Sequence, residues 1–246
     1  MCGIGGGLFA VPLLHYGFKF PLKRAVATGL GLVAATAVAA TGAEALHEGS
    51  AIDWVVVGVM IVGGLIGTQV GFRAAQRIKT NQLKLVFVVV LIAAAARILL
   101  GKPAVADAVD TELSLGVLEY LGVALVGFGA GFCSPLLGIG GGLVAVPALF
   151  LGLPGFSYLT ARACSLALGS FTSLRSLRLY SRENLVDLRV ASWLGGGAFI
   201  GAVIGVQLVH LNGADRVGQL LLSGLLIVVA VRFALDVRRA RHEVAS

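Results

Sequence analysis

The sequence predicts an all-α polytopic membrane protein built from two inverted repeats, and three observations favour this fold class. Of the 246 residues, 58% are hydrophobic and only 13% are charged, whereas soluble domains carry about 25% charged residues. Uncharged runs long enough to cross a bilayer recur along the chain, without the strict alternation of strands. A glycine-rich motif also occurs twice. The composition excludes an ordinary soluble domain and a disordered chain.

The uncharged runs are interpreted as helices, because only helices and closed barrels satisfy their backbone in lipid. One run, 120–161, is about twice as long as the ~20 residues that a span needs. We expect this run to break at Pro135 and at glycines 138–142. The complete set of runs is 3–18, 25–43, 54–72, 85–96, 120–161, 163–174, 190–214 and 217–231.

Two copies of one unit make up the chain. Residues 3–14 match residues 138–149 at ten of twelve positions, and the correspondence continues at a spacing of 134–136 residues. It pairs Ala27-Thr-Gly-Leu with Ala163-Cys-Ser-Leu, Asp53 with Asp187, and glycines 63, 67 and 71 with glycines 197, 201 and 205. The predicted organisation is a first repeat over 1–102, an extracytoplasmic linker over 103–114 and a second repeat over 115–246.

The distribution of charge predicts how the two copies face the membrane. Each copy is interpreted as a hairpin, broken at its glycines, followed by three spanning helices. With this arrangement, loops holding fourteen of the 19 basic residues share one side, which the positive-inside rule assigns to the cytoplasm together with the C-terminus. An odd number of spans makes the two copies inverted. By comparison with 115–137, the first hairpin is expected to lack about twenty residues at its start.

The two Gly-Ile-Gly-Gly-Gly motifs carry the predicted binding site. Glycines let the backbone leave the helix, and the short helices that follow, 8–14 and 143–149, would present free N–H groups and positive dipole charge. The candidate residues for binding an anion are Gly5, Gly6, Gly7, Thr28, Gly140, Gly141, Gly142 and Ser165. The alternative is that these glycines only allow tight helix packing, and that Thr28 and Ser165 bond to their own helices.

Other motifs are interpreted structurally. The glycine ladders at 63/67/71 and 197/201/205 predict close helix packing, and Asp53 and Asp187 predict acidic helix starts. No Walker motif, βαβ fingerprint, CxxC pair or His pair at i, i+4 is present. Hence we expect no catalytic residue, metal or cofactor. Because the basic residues form short separate clusters, nucleic acid is not an expected partner. The expected partners are a small anionic substrate and the lipid bilayer, and a homodimer is allowed.

The sequence resembles the TauE/SafE-type sulfite exporter family in three features. These are the duplicated Gly-Ile-Gly-Gly-Gly-Leu-x-x-Val-Pro, the sequences 27–30 and 163–166 that follow it, and the Asp before a glycine-laddered helix. The resemblance covers nearly the whole chain. It implies a multi-pass permease of the bacterial inner membrane for sulfite, thiosulfate, sulfonates or related organic anions. The chain departs from the family pattern at Gly29, where serine is usual, and at Cys164, where threonine is usual.

Three alternatives stand beside this interpretation. One is a carrier of another small organic anion such as a carboxylate, and a second is a non-transporting membrane subunit. The third is an intramembrane enzyme, which would need a Ser–His pair or paired aspartates within the spans; the sequence offers neither. The duplicated broken helix argues against a mere anchor, because an anchor does not need glycines at mid-membrane.

The charge pattern predicts opposite locations for residues 48 and 178. Single-cysteine variants Glu48→Cys and Arg178→Cys, in a background without native cysteines, are expected to react with an impermeant thiol reagent from outside and from the cytoplasm, respectively. Labelling of both positions from the same side in whole cells would contradict the inverted arrangement.

Overall fold

The computed structural model describes residues 7–46, 50–78, 116–153 and 156–209, and the regular structure within them is helical. A π-helical segment, Leu13–Gly17, follows the first helix directly. The α-helices are α1 (Gly7–Pro12), α2 (Leu22–Ala45), α3 (Trp54–Arg77), α4 (Val117–Leu137), α5 (Gly142–Gly152), α6 (Tyr158–Arg182) and α7 (Leu188–Val209). Three of the described helices, α2, α3 and α4, are long and apolar enough to cross a membrane.

The helices follow the internal repeat of the sequence. Helices α1, α2 and α3 begin at Gly7, Leu22 and Trp54, and α5, α6 and α7 begin 134–136 residues later. Helix α4 has no counterpart among the described residues of the first copy. The helix expected last in each copy lies outside the described residues.

The broken helix of the second copy has the predicted form with one correction. The expected ascending helix over 115–137 is present as α4, but Pro135 does not break it. Helix α4 continues to Leu137 and ends where Gly138 takes a left-handed conformation, with φ of +68°. A glycine in the left-handed conformation commonly terminates an α-helix. Pro135 has no N–H group, so one hydrogen bond is missing from the last turns of α4, and the helix continues for two more residues.

The two half-helices differ from each other. The sequence predicts half-helices over 8–14 and 143–149. In the structure, α1 continues into the π-helical segment, whereas α5 is one regular helix of 11 residues. Helix α5 begins at Gly142, the last glycine of its motif, and the described part of α1 begins at the equivalent glycine, Gly7.

The first glycine ladder packs helix α3 against α4. A Cβ at Gly63, Gly67 or Gly71 would overlap the carbonyl groups of Ala124, Phe128 and Phe132 on α4. Gly127 and Gly131 of α4 approach the carbonyls of Met60 and Gly64 in the same way. The two backbones are in direct contact over two helical turns, which confirms the packing interpretation for this ladder.

The second ladder does not pack in this way within the described part of the chain. Gly197 and Gly201 are exposed, and a Cβ at either would have no neighbour within 4 Å. Helix α7 contacts α2 through another face, where Gly31 lies against Ala191 and Gly195 against Ala35. The expectation that both ladders serve close packing is thus met only for the first, because the ladder of α7 points away from its described neighbour.

Polar contacts join the two copies at both ends of α2. At its start, Arg24 pairs with Asp187 at 3.4 Å, and at its end Glu44 pairs with Arg162 at 3.7 Å. Helix α2 has 24 residues, about 36 Å of helix, so the two ion pairs are roughly a bilayer thickness apart.

The two ladders predict opposite effects of the same substitution. Gly67→Ala should lower the free energy of unfolding by about 1–3 kcal/mol, because the new methyl group collides with the Phe128 carbonyl. Gly201→Ala, its repeat counterpart, should be neutral or stabilise by up to about 1 kcal/mol through helix propensity. Thermal unfolding of both variants in detergent measures the contrast, and equal destabilisation would contradict it.

Candidate functional site

The turn between α4 and α5 requires glycine at its bends. Gly140 and Gly141 have φ of +76° and +81°, in the left-handed region that side chains disfavour. A Cβ on Gly141 would also lie 2.6 Å from the Ala130 carbonyl oxygen. Both glycines are buried. The turn is therefore a fixed backbone structure inside the bundle.

Two carbonyl groups of this turn, those of Gly140 and Gly141, accept hydrogen bonds from other residues. The Thr172 hydroxyl donates to the Gly140 carbonyl at 2.9 Å, and the Gly141 carbonyl accepts from the N–H groups of Val144 and Ala145 at 3.1 Å each. Within the described part of the chain, no hydrogen bond uses the N–H group of Gly140 or Gly141. Since these groups lie at the N-terminal end of α5, they add to its positive dipole end.

Hydroxyl groups on one face of α6 hold the turn and the end of α4. In addition to Thr172, the Tyr180 hydroxyl donates to the Pro135 carbonyl at 2.8 Å, and the hydroxyls of Ser176 and Ser134 are 3.1 Å apart. Residues 172, 176 and 180 are spaced by four and share one helix face. This set, the α6 hydroxyl row, was not among the predicted site residues, although its spacing is visible in the sequence.

Gly7, the last residue of the first glycine motif, lies against the second turn. A Cβ on Gly7, the first residue of α1, would lie 2.7 Å from the Ile139 Cα and overlap the Gly138 carbonyl. Val33 of α2 approaches both Gly7 and Gly140, each at 2.7 Å from the position of an added Cβ. Gly7 and the second turn are thus neighbours, as expected for two converging motifs. The predicted site residues Gly5 and Gly6 lie outside the described residues.

Thr28 is bonded to a loop of the other copy. It is fully buried, and its hydroxyl oxygen accepts from the Asp187 N–H at 3.1 Å. Its repeat counterpart, Cys164, makes the matching contact from its thiol to the Asp53 carbonyl at 3.8 Å. Each side chain therefore joins its helix to the start of a helix in the other copy. The direct partner found for Thr28 is this loop and not the glycine turn.

Asp53 and Asp187 cap the helices that follow them. The Asp53 carboxylate accepts from the N–H groups of Val55 and Val56 at 2.9 and 3.1 Å, and that of Asp187 accepts from Val190 at 3.2 Å. These bonds satisfy N–H groups that the first turn leaves free, which confirms the expectation of acidic helix starts.

Ser165 lies on the α6 face toward the second half-helix, and its hydroxyl is without a partner. It is fully buried, and no hydrogen bond is found for its oxygen among the described residues. It precedes Gly169 by one turn and shares its face, and a Cβ on Gly169 would lie 3.3 Å from the Gly140 carbonyl. A buried hydroxyl without a partner is costly and marks a place for a polar ligand or water. Among the residues described, no three His, Cys, Asp or Glu side chains form a metal-binding group.

Long apolar helices and a buried break between α4 and α5 are typical of a polytopic membrane protein of the transporter class. The chain belongs to the sulfite exporter TauE/SafE family, whose model matches residues 1–104 and 123–246. This is a family of membrane transporters.

Two curated relatives carry the name "Probable membrane transporter protein". The one from Xylella fastidiosa is 25% identical over 236 residues, which cover 96% of this chain and 88% of the relative. The one from Haemophilus influenzae is 29% identical over 147 residues, which cover 59% of this chain and 53% of the relative. No solved structure matches the chain.

The hydrogen bond from Tyr180 to α4 predicts a loss of stability when its hydroxyl is removed. Tyr180→Phe leaves the buried Pro135 carbonyl without a donor, so the free energy of unfolding should fall by about 1–3 kcal/mol. Tyr120→Phe, on the half-buried start of α4, is the matched control and should change it by less than about 0.5 kcal/mol. Denaturant unfolding in detergent compares the two, and a similar loss in both would count against the hydrogen bond.

Proposed function

We propose that this protein is a secondary transporter for a small anion, and that sulfite, thiosulfate or an organosulfonate is the substrate. The observation that carries the proposal is the second glycine turn, where the carbonyls of Gly140 and Gly141 are hydrogen-bonded but, among the described residues, the N–H groups of the same two glycines are not. Membership of the TauE/SafE family supports the transporter class and the oxidised sulfur substrate.

Backbone N–H groups suit a transported anion. Each buried N–H without an acceptor costs about 1–3 kcal/mol, so an anion that supplies acceptor oxygens is stabilised there. The α5 dipole adds to this preference for negative charge. No full positive charge is needed at the turn, so the anion can also be released. The contribution of Gly5–Gly7 from the first copy, and contacts from Gly142, Thr28 and Ser165, belong to the same proposal.

The inverted arrangement of the two copies offers a route for alternating access. We assign the Arg24–Asp187 end to the cytoplasm and the Glu44–Arg162 end to the outside of the bacterial inner membrane. Each ion pair joins one copy to the other, so opening of either end requires its ion pair to separate. The membrane potential can drive export of an anion, because each charge gains about 2.3 kcal/mol per 100 mV.

The site is tested by substituting Gly141 and a control glycine of α4. Gly141→Ala should weaken sulfite binding by about tenfold or more, because a methyl group at φ of +81° and 2.6 Å from the Ala130 carbonyl distorts the turn. Gly129→Ala is the control, because a Cβ there has no neighbour within 4 Å. It should bind sulfite as the unmodified protein does.

Thermal stabilisation of the purified protein by sulfite, thiosulfate, taurine, sulfoacetate and lactate measures binding, and uptake into proteoliposomes measures transport. A preference for lactate would make the substrate a carboxylate. Stabilisation by none of these anions, or unchanged sulfite affinity in well-folded Gly141→Ala protein, would count against the proposed site.

A further inference from the structure

We propose that Arg162 is an outer contact for the transported anion, and that the Glu44 carboxylate occupies this contact until an anion takes its place. The inference rests on the proposed function. It adds a second anion contact to the one at the glycine turn, and its ligand is an oxyanion that presents two oxygens to a guanidinium group. The outer end of the bundle opens as the anion replaces Glu44.

The Glu44–Arg162 pair is largely buried, whereas the pair at the opposite end of α2 is not. The Arg162 and Glu44 side chains are 17% and 15% exposed. For Arg24 and Asp187 the exposed fractions are 47% and 27%. Removing one partner of a buried ion pair is strongly destabilising, because the other charge is left where water solvates it poorly. Arg162 therefore separates from Glu44 at low cost only when another anion compensates its charge.

The contact between Arg162 and Glu44 is of a kind that an oxyanion can replace. A guanidinium group carries five N–H donors in a planar fork, which suits two oxygens of one carboxylate or oxyanion. The Arg162 Nη2 atom lies 3.7 Å from Glu44 Oε2, an ion-pair distance that is too long for a good hydrogen bond. A free oxyanion offers the same charge and the same oxygens, so an exchange keeps the guanidinium group compensated throughout.

Arg162 lies on a helix face that leads to the glycine turn. Residues 162, 165 and 169 are spaced so that they share one face of α6, and this stretch is about 10 Å long. Ser165 has the buried hydroxyl for which the described residues offer no partner, and Gly169 adjoins the Gly140 carbonyl. An anion that passes from Arg162 toward the turn therefore meets a hydroxyl donor on the way.

Beyond the ion pair, α2 and α6 are in contact in this structure. The hydroxyls of Thr41 and Ser170 are 3.0 Å apart, and a Cβ on Gly169 would lie 4.0 Å from the Ala37 side chain. The polar contacts that join the two helices at this end are thus one ion pair and one hydrogen bond among the described residues. Exchange of Glu44 for an anion removes the ionic contact.

The experiment measures the sulfite affinity of Glu44→Gln, Arg162→Gln and the double variant, each as the full chain purified in detergent. Glu44→Gln removes the competing carboxylate, so sulfite should bind about tenfold more tightly. Arg162→Gln should bind sulfite about tenfold more weakly or worse. The double variant leaves neither charge unpaired, so it should fold like the unmodified protein and bind as weakly as Arg162→Gln. It keeps the test decisive where Arg162→Gln alone does not fold.

Glu119→Gln and Arg175→Gln are the matched controls, because each removes one charge of the same sign elsewhere. Glu119 accepts from the Gly116 N–H at the start of α4, a bond that glutamine can keep, and Arg175 is exposed on α6. Both should stay within about twofold of the unmodified protein in sulfite affinity. An equal gain in Glu119→Gln, or a gain from Glu44→Gln that persists in the double variant, would overturn the proposal, because the effect would then be one of net charge.

A second readout follows the outer end itself. Ala40 lies one turn before Glu44 on α2 and is half-buried. Ala40→Cys, in a background without native cysteines, should react faster with an impermeant thiol reagent outside whole cells when sulfite is added. With Glu44→Gln it should react fast with or without sulfite. Labelling that changes neither with sulfite nor with Glu44→Gln would contradict the exchange of Glu44 for the anion.

The outcome for Gly141→Ala separates this inference from the proposed function. If Gly141→Ala loses sulfite affinity while Glu44→Gln and Arg162→Gln bind sulfite as the unmodified protein does, the outer contact is wrong and the site at the turn stands. If Arg162→Gln loses affinity while Gly141→Ala keeps it, the outer contact stands and the site at the turn is wrong. If the unmodified protein does not bind sulfite, both fail together.

Discussion

The constraint on which this structure depends is that a backbone inside a bilayer has no water to satisfy its polar groups. Long helices meet this constraint by internal hydrogen bonding, and α2, α3 and α4 are long enough to do so across a membrane. The break between α4 and α5 cannot satisfy its polar groups by hydrogen bonds within one helix. Its carbonyls must find donors elsewhere in the protein, and α6 provides them through Tyr180 and Thr172. The hydroxyls of α6 are therefore a consequence of the broken helix.

Glycine serves two different purposes in this fold. In the first ladder, the absence of a side chain lets the backbones of α3 and α4 touch, and a residue with a Cβ would overlap the facing carbonyl groups. At Gly140 and Gly141 it permits a left-handed backbone that ends one helix and begins another. Packing glycines contribute to stability, whereas turn glycines also determine which polar groups are exposed within the bundle. The two kinds of glycine are distinguished by φ, not by sequence spacing.

The sequence was sufficient to predict the long helices among the described residues, the break at glycines 138–142 and the acidic caps, because these depend on local hydropathy, on glycine and on the charge of residues such as Asp53. The internal repeat further predicted that equivalent helices begin at equivalent positions, as the helices that start at Trp54 and Leu188 do. It could not predict which ladder packs, since Gly201 and Gly67 have the same local sequence pattern but different neighbours. Nor could it predict that Thr28 bonds to the Asp187 loop, because side-chain partners between the copies depend on how the helices cross.

The second turn differs in polarity from a simple helix end. At an ordinary break, unpaired carbonyls at the end of one helix and unpaired N–H groups at the start of the next lie together, and their dipoles partly cancel. Here the donors from α6 cover the carbonyls of Pro135 and Gly140, while no partner for the N–H groups of Gly140 and Gly141 is found among the described residues. In the proposed site, these N–H groups are the donors for the anion, and no charged side chain is needed. An anion bound there would accept hydrogen bonds from the N–H groups and interact favourably with the dipole of α5, as proposed above. The selectivity of such a site follows from where hydroxyl groups are placed on a neighbouring helix.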